Sequence, residues 1–169
     1  MDKLIKILSC ILFCVLLLIH SFFASCQGLN INSGAVLINM GGLVLKGNWI
    51  NEGSFFDTCG TIIFSGTAQI INGTVPSAFN SLTISGSSTT TVVLPGQTIS
   101  RILLCDGTLN ASGYITLLST ASHSALIDGS GTGQVTGDVT MQRYFPTGFG
   151  YKYISSPFQA ATVGELSDD

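Results

Sequence analysis

Five times along this chain, two mainly apolar residues and one polar residue run into a glycine. The segments are Val44-Leu45-Lys46-Gly47, Ile63-Phe64-Ser65-Gly66, Thr83-Ile84-Ser85-Gly86, Leu104-Cys105-Asp106-Gly107 and Leu126-Ile127-Asp128-Gly129. Subtracting the glycine numbers gives steps of 19, 20, 21 and 22 residues. A period near 20 that lengthens slowly is the signature of a β-solenoid, in which each repeat is one coil of short strands and extra residues fall in the turns. The residue two before each glycine is Leu45, Phe64, Ile84, Cys105 and Ile127, a column suited to an apolar stack inside the coil.

The segments between the glycines support an all-β chain. Leu43–Leu45, Trp49–Ile50, Thr61–Phe64, Gln69–Ile71, Ser81–Ile84, Thr91–Leu94, Ile99–Leu104 and Tyr114–Leu118 read as strands, each bounded by Gly, Asn, Ser or Pro. No stretch after the first two dozen residues carries a sustained helical stripe with caps. Only 9% of residues are charged, far below the roughly 25% of a typical soluble domain, while 46% are apolar. This is not the composition of disorder. It suits an extracellular β protein whose polar surface is built from hydroxyls and amides.

The chain begins as an export signal does. Lys3 and Lys6 precede an apolar run from Ile7 to Phe23, and the small residues Ala24-Ser25-Cys26 follow. Ordinary cleavage after Cys26 leaves Gln27 first; a cut before Cys26 would make that cysteine a lipid anchor. Without residues 1–26, four basic and eight acidic residues remain, a net charge near −4. Lys46, Arg101, Arg143 and Lys152 are scattered, so the basic cluster that nucleic acid requires is missing. Cys59 and Cys105 stand two coils apart at different repeat positions, beyond disulfide reach. Both are expected to be free and largely buried.

Texture changes after Gly129. Residues 131–137 read as a glycine-rich linker, and Asp138 to Phe145 as one alternating strand opening a second β domain over 138–169. The expected fold is therefore a signal peptide over 1–26, then a short right-handed parallel β-solenoid over 27–130. An incomplete antiparallel β-sandwich segment follows the linker.

Three stretches carry a resemblance: Gly47-Asn48-Trp49-Ile50-Asn51-Glu52-Gly53-Ser54-Phe55, Gly60-Thr61-Ile62-Ile63-Phe64-Ser65-Gly66 and Phe79-Asn80-Ser81-Leu82-Thr83-Ile84. Together they resemble the N-terminal region of large bacterial surface proteins exported through the type IX system, many of them adhesin-like. Val139-Thr140-Met141-Gln142-Arg143-Tyr144-Phe145 and Tyr153-Ile154-Ser155-Ser156-Pro157 resemble the region that follows the coil in the same proteins. The resemblance implies a secreted or cell-surface location and a structural role more than an activity. Members of that family run longer and finish in a C-terminal sorting domain, which this sequence does not show. A truncated product or a fragment is therefore expected.

Few residues invite a chemical role. His123, between Ser122 and Ser124 and near Asp128, reads as an exposed turn residue, because serines are common throughout the chain. Asp106 and Asp128 share the position before glycine in successive repeats, so their carboxylates would share one turn edge about 5 Å apart. Such a pair could ligate Ca²⁺, although Asp-Gly is first of all a good tight turn. Trp49, Phe55 and Phe56 offer a sugar-stacking platform or, more simply, packing at a cap or corner. The function expected is non-enzymatic: a surface stalk or adhesin-like segment meeting extracellular polysaccharide or other surface proteins. The rival is a carbohydrate-binding or polysaccharide-degrading β-helix. A lyase needs a base beside its carboxylates, and neither Lys46 nor Arg101 falls near Asp106 and Asp128 in the repeat.

Overall fold

Strands of three to five residues that alternate apolar and polar side chains can bury one side each. To share one core they must turn often and bring every inner side to a common axis. The computed structural model describes residues 27–146, and in it the chain does this six times. The first coil holds β1 (Leu29–Ile31), β2 (Val36–Asn39) and β3 (Gly42–Leu45), and the second β4 (Trp49–Asn51), β5 (Ser54–Asp57) and β6 (Thr61–Phe64). The third holds β7 (Gln69–Gly73), β8 (Ala78–Phe79) and β9 (Ser81–Ile84), and the fourth β10 (Thr89–Val92), β11 (Gln97–Ile99) and β12 (Ile102–Cys105). The fifth holds β13 (Thr108–Asn110), β14 (Ile115–Leu117) and β15 (Leu126–Asp128), and the sixth contributes β16 (Gln134–Thr136) and β17 (Val139–Met141).

Every strand pairs in parallel with its counterpart one coil away, so the chain is a β-solenoid with three faces. The first face is the six-stranded sheet β1-β4-β7-β10-β13-β16, and the third is the five-stranded sheet β3-β6-β9-β12-β15. The second face comes in two parts, β2-β5 and β8-β11-β14-β17. Between them a side chain replaces the backbone ladder: the Asp57 carboxylate accepts the Asn80 N–H at 2.9 Å.

The core follows from the register. Leu45, Phe64, Ile84 and Cys105 are Cα partners in successive coils, as the glycine spacing predicts. Beside them runs Leu43, Ile62, Leu82, Leu103 and Ile127. Ile127 therefore pairs with Leu103 and not with Cys105, the partner the repeat suggested. The fifth coil is longer than its glycines indicate, because residues 119–124 form an excursion closed by an antiparallel bridge between Ser119 and Ser124.

The recurrent glycines mark a corner where successive coils touch. A Cβ at Gly66 would collide with the Lys46 carbonyl of the coil beneath, and one at Gly107 with the Ser85 carbonyl. Gly129 has open space around it, and Gly133 is the residue that presses on the Gly107 backbone. The last signature is thus a look-alike, displaced by the excursion before it.

The stretch after Gly129 also differs from expectation. β16 pairs in parallel with β13, and β17 with β14, so residues 134–141 continue the solenoid. The glycines of 131–137 are corner residues of a sixth coil, not an interdomain linker. The strand expected from Asp138 to Phe145 is only Val139–Met141, and it is parallel. Residues 1–26, with Cys26, and residues 147–169 lie outside the described part of the chain, so the export segment and the rest of the expected second domain are not addressed by it.

Phe64 is fully buried at mid-stack. Phe64→Ala is expected to lower unfolding free energy by about 3–5 kcal/mol in a urea titration. Val44→Ala, on the outer surface of the same sheet, should change it by less than about 0.5 kcal/mol.

Candidate functional site

Each inner corner of the solenoid carries polar side chains, and these account for much of the chain's apparent chemistry. At the corner from third face to first, Gln69 accepts the Gly66 N–H at 2.7 Å and donates to the Gly47 carbonyl at 2.6 Å. Ser88, one coil on, donates to the same Gln69 oxygen at 3.0 Å and lies 3.2 Å from the Thr90 hydroxyl. At the corner from first face to second, Asn51 Nδ2 and Trp49 Nε1 both donate to Ser77 Oγ, at 3.1 and 2.9 Å. The Ser77 N–H in turn donates to Gln97 Oε1 at 2.9 Å. At the remaining corner, Asn39 Nδ2 and the Gly60 N–H donate to Asp57 Oδ1, each at 3.0 Å. Among the described residues no buried side-chain nitrogen or oxygen is left without a partner. A half-satisfied ladder would be worse than an apolar one.

The aromatic candidates separate. Trp49 and Phe55 point inward and meet edge-on at 4.6 Å, and Trp49 also packs on Phe79 at 5.4 Å. Trp49 is 0% exposed, so neither its face nor that of buried Phe55 is open to a sugar. Packing is their role, and the three rings do not form one exposed platform. Phe56 alone is outside, because alternation along β5 sends it to the opposite side from Phe55. It lies opposite Ile38 in the ladder, and with exposed Val36 and Met40 it forms an apolar patch on the first two coils.

Asp106 and Asp128 do not share a ladder position. Asp128 pairs with Leu104, two residues before the place the repeat assigned to it. Each carboxylate organises the same following turn from a different side. Asp106 Oδ1 accepts the Thr132 N–H at 3.1 Å, and Asp128 Oδ1 accepts the Ser130 N–H at 2.9 Å. Hydrogen bonds from the Ser130 N–H and hydroxyl hold the Asp128 carboxyl below the usual carboxylate range. An open groove of about 280 Å³ runs past Asp106 between Gly86, Gly107 and Gly133. Thr108, Thr132 and Gln134 complete its lining, in which Asp106 is the charged residue. No group of three or more His, Cys, Asp or Glu side chains stands together among the described residues.

His123 sits in the 119–124 excursion, with its Nδ1 3.3 Å from Thr120 Oγ1 and 3.2 Å from Ser122 Oγ. These contacts close a local turn. The cysteines are both free, as expected, but only Cys105 is buried. Its Sγ donates to the Gln134 carbonyl at 3.2 Å, and burial pushes its thiol up. Cys59 is exposed, contrary to expectation, because it falls in the corner between β5 and β6 and not on an inward strand position.

The sequence reading missed the outer face of the later coils. Thr98, Thr116 and Thr140 are successive Cα partners on the second face. On the first face, Thr89 aligns with Thr108 and Gln134, and Thr91 with Asn110 and Thr136. All lie at alternate strand positions, outward of buried Thr90 and Leu109. The signal was present as polar residues recurring at the coil period, hidden by the uneven coil lengths. No protein-family model, no curated protein and no solved structure matches this chain.

Two outcomes follow. Gln69→Ala takes the side-chain partner from the Gly66 N–H and the Gly47 carbonyl and is expected to cost about 1–3 kcal/mol in chemical denaturation. Brief alkylation of the folded protein, mapped by peptide mass, should label Cys59 and spare Cys105 until denaturant is added.

Proposed function

We propose that this chain is a non-catalytic module of an exported cell-surface protein, a stiff β-solenoid stalk that presents its faces to the surroundings. The observation that carries the reading is the parallel register that runs unbroken along the first and third faces through successive coils. Six coils tied in this way make a short rod, about 24 Å from first strand to last at the usual strand spacing. A rod of this kind transmits position and offers repeating surfaces. The basic start, apolar run and small residues of the first 26 positions support export. The resemblance to adhesin-like surface proteins of the type IX system supports the location and the structural role.

A second reading is favoured by the threonine column Thr98, Thr116 and Thr140 and by the hydroxyl and amide rows beside it. Uncharged hydroxyls at the coil spacing suit a repeating extracellular polysaccharide, which offers hydroxyls at regular intervals and little charge. In this reading the module binds glycan without cleaving it.

Fractionation of the producing cells is expected to place the protein outside the cytoplasm. Incubation with neutral and acidic polysaccharides, with and without Ca²⁺, is expected to release no reducing ends or unsaturated sugars. Turnover on any of them would overturn the non-catalytic reading, and a purely cytoplasmic product would overturn export. Saturable adsorption to an insoluble glycan, abolished in a Thr98→Val, Thr116→Val variant of unchanged circular dichroism, would establish the second reading.

A further inference from the structure

Corners between the third face and the first carry glycine, but not all for the same reason. A Cβ at Gly47, Gly66 or Gly107 would collide with the backbone of the preceding coil. A Cβ at Gly86 would meet only the Asp106 carbonyl, at 3.7 Å, an ordinary contact, and Gly86 is exposed. Nor is its φ positive, since the described glycines of that kind are Gly34, Gly73, Gly96, Gly113 and Gly137. Neither stacking nor backbone conformation therefore requires glycine at 86. Its missing side chain leaves open the groove of about 280 Å³ that runs on past Gly107 and Gly133.

The backbone of this groove is fixed and its side chains are polar. The Gly133 N–H bonds to the Cys105 carbonyl at 2.9 Å, and the Gln134 N–H to the Gly107 carbonyl at 2.8 Å. Buried Cys105 Sγ reaches the Gly107 and Gln134 carbonyls at 3.3 and 3.2 Å. Asp106 Oδ1 accepts the Thr132 N–H at 3.1 Å and the Thr132 hydroxyl at 3.5 Å. Asp106 Oδ2, the Thr108 hydroxyl and the Gln134 side-chain amide take no partner among the described residues. A carboxylate oxygen, a hydroxyl and an amide around one preformed hollow can accept and donate several hydrogen bonds together. No aromatic, aliphatic or cationic side chain lines the groove, which disfavours apolar ligands and anions alike. Its volume falls just below the roughly 300–1,000 Å³ of pockets that bury a drug-sized ligand, so it suits one small unit.

Given the glycan-binding reading, on which this depends, we propose that the groove is the subsite for one uncharged sugar unit of an extracellular polysaccharide. Asp106 Oδ2 accepts a sugar hydroxyl in a charge-assisted bond, and Thr108 and Gln134 hold the neighbouring hydroxyls. Thr108 and Gln134 also belong to the outward row Thr89, Thr108, Gln134 of the first face. The next row, Thr91, Asn110, Thr136, lies two residues further along the same strands, roughly 7 Å away. The rest of the polysaccharide continues from the groove across the first face, over hydroxyls and amides. This subsite is separate from the column of Thr98, Thr116 and Thr140, which stands on the second face.

Amide NMR spectra of the full chain, titrated with cellohexaose, mannohexaose and xylohexaose into the millimolar range, test this. At least one of these sugars is expected to shift the Gly86, Thr108, Thr132 and Gln134 amides saturably. Asp106→Asn, whose side-chain oxygen can still accept the Thr132 N–H, is expected to weaken that binding by about 10-fold or more. Gly86→Leu, which fills the groove without a backbone clash, should do the same. The Ile62 and Ile99 amides should keep their positions in both variants. Undiminished affinity in either variant would overturn the proposal. So would shifts confined to Thr98, Thr116 and Thr140, an outcome that leaves the glycan-binding reading standing. If none of the sugars shifts the groove amides, the proposal falls, and adsorption to insoluble glycan then decides whether that reading falls with it.

Discussion

Stacking at the β-strand repeat governs the rest of this molecule. Once coils are joined by parallel backbone hydrogen bonds, every position sits about one strand spacing from its equivalent above and below. An inward side chain must then pack on its counterparts, an outward one must tolerate a row of its kind, and a corner must leave room for the next corner. Leu45, Phe64, Ile84 and Cys105 satisfy the first demand with apolar contact. Gly66 and Gly107 satisfy the last by having no side chain to obstruct the carbonyl beneath.

The polar corners follow from the same constraint. Turning a chain three times per coil exposes backbone N–H and C=O groups that no ladder satisfies. Water cannot enter a corner sealed by the coils on either side. Gln69, Asn51, Ser77, Gln97 and Asp57 supply the missing partners: Ser77 bridges the coils on either side of it, and the other four bond across to a neighbouring coil as well as locally at their own corner. These bonds fix the register more firmly than apolar packing can, because a slip would leave several buried groups unpaired together.

The outside varies along the axis where the inside does not. Val36, Ile38, Met40 and Phe56 make the first two coils apolar on their second face, whereas the later coils present threonine, asparagine and glutamine there and on the first face. Neither surface carries a cluster of charge, so attraction over distance plays little part and contact depends on fit at close range.

How much of this was legible in the sequence depended on distance along the chain. The coil period, the strand-rich character and the column from Leu45 to Cys105 were readable, because hydrophobic alternation and corner glycines are local consequences of one repeating geometry. The reading slipped at Ile127 and Asp128, where the 119–124 excursion shifted the register while an Asp-Gly turn kept the appearance of the motif. It slipped again at residues 131–141, since a glycine-rich corner and a glycine-rich linker are the same composition. The inward turn of Trp49 and Phe55 was likewise undecided, because alternation says that neighbours oppose each other but not which of them faces the axis. Sequence by itself determined that the chain would coil; only the tertiary stack decided which residues meet, since partners 19 to 24 positions apart are chosen by hydrogen-bond register between coils and not by spacing within one.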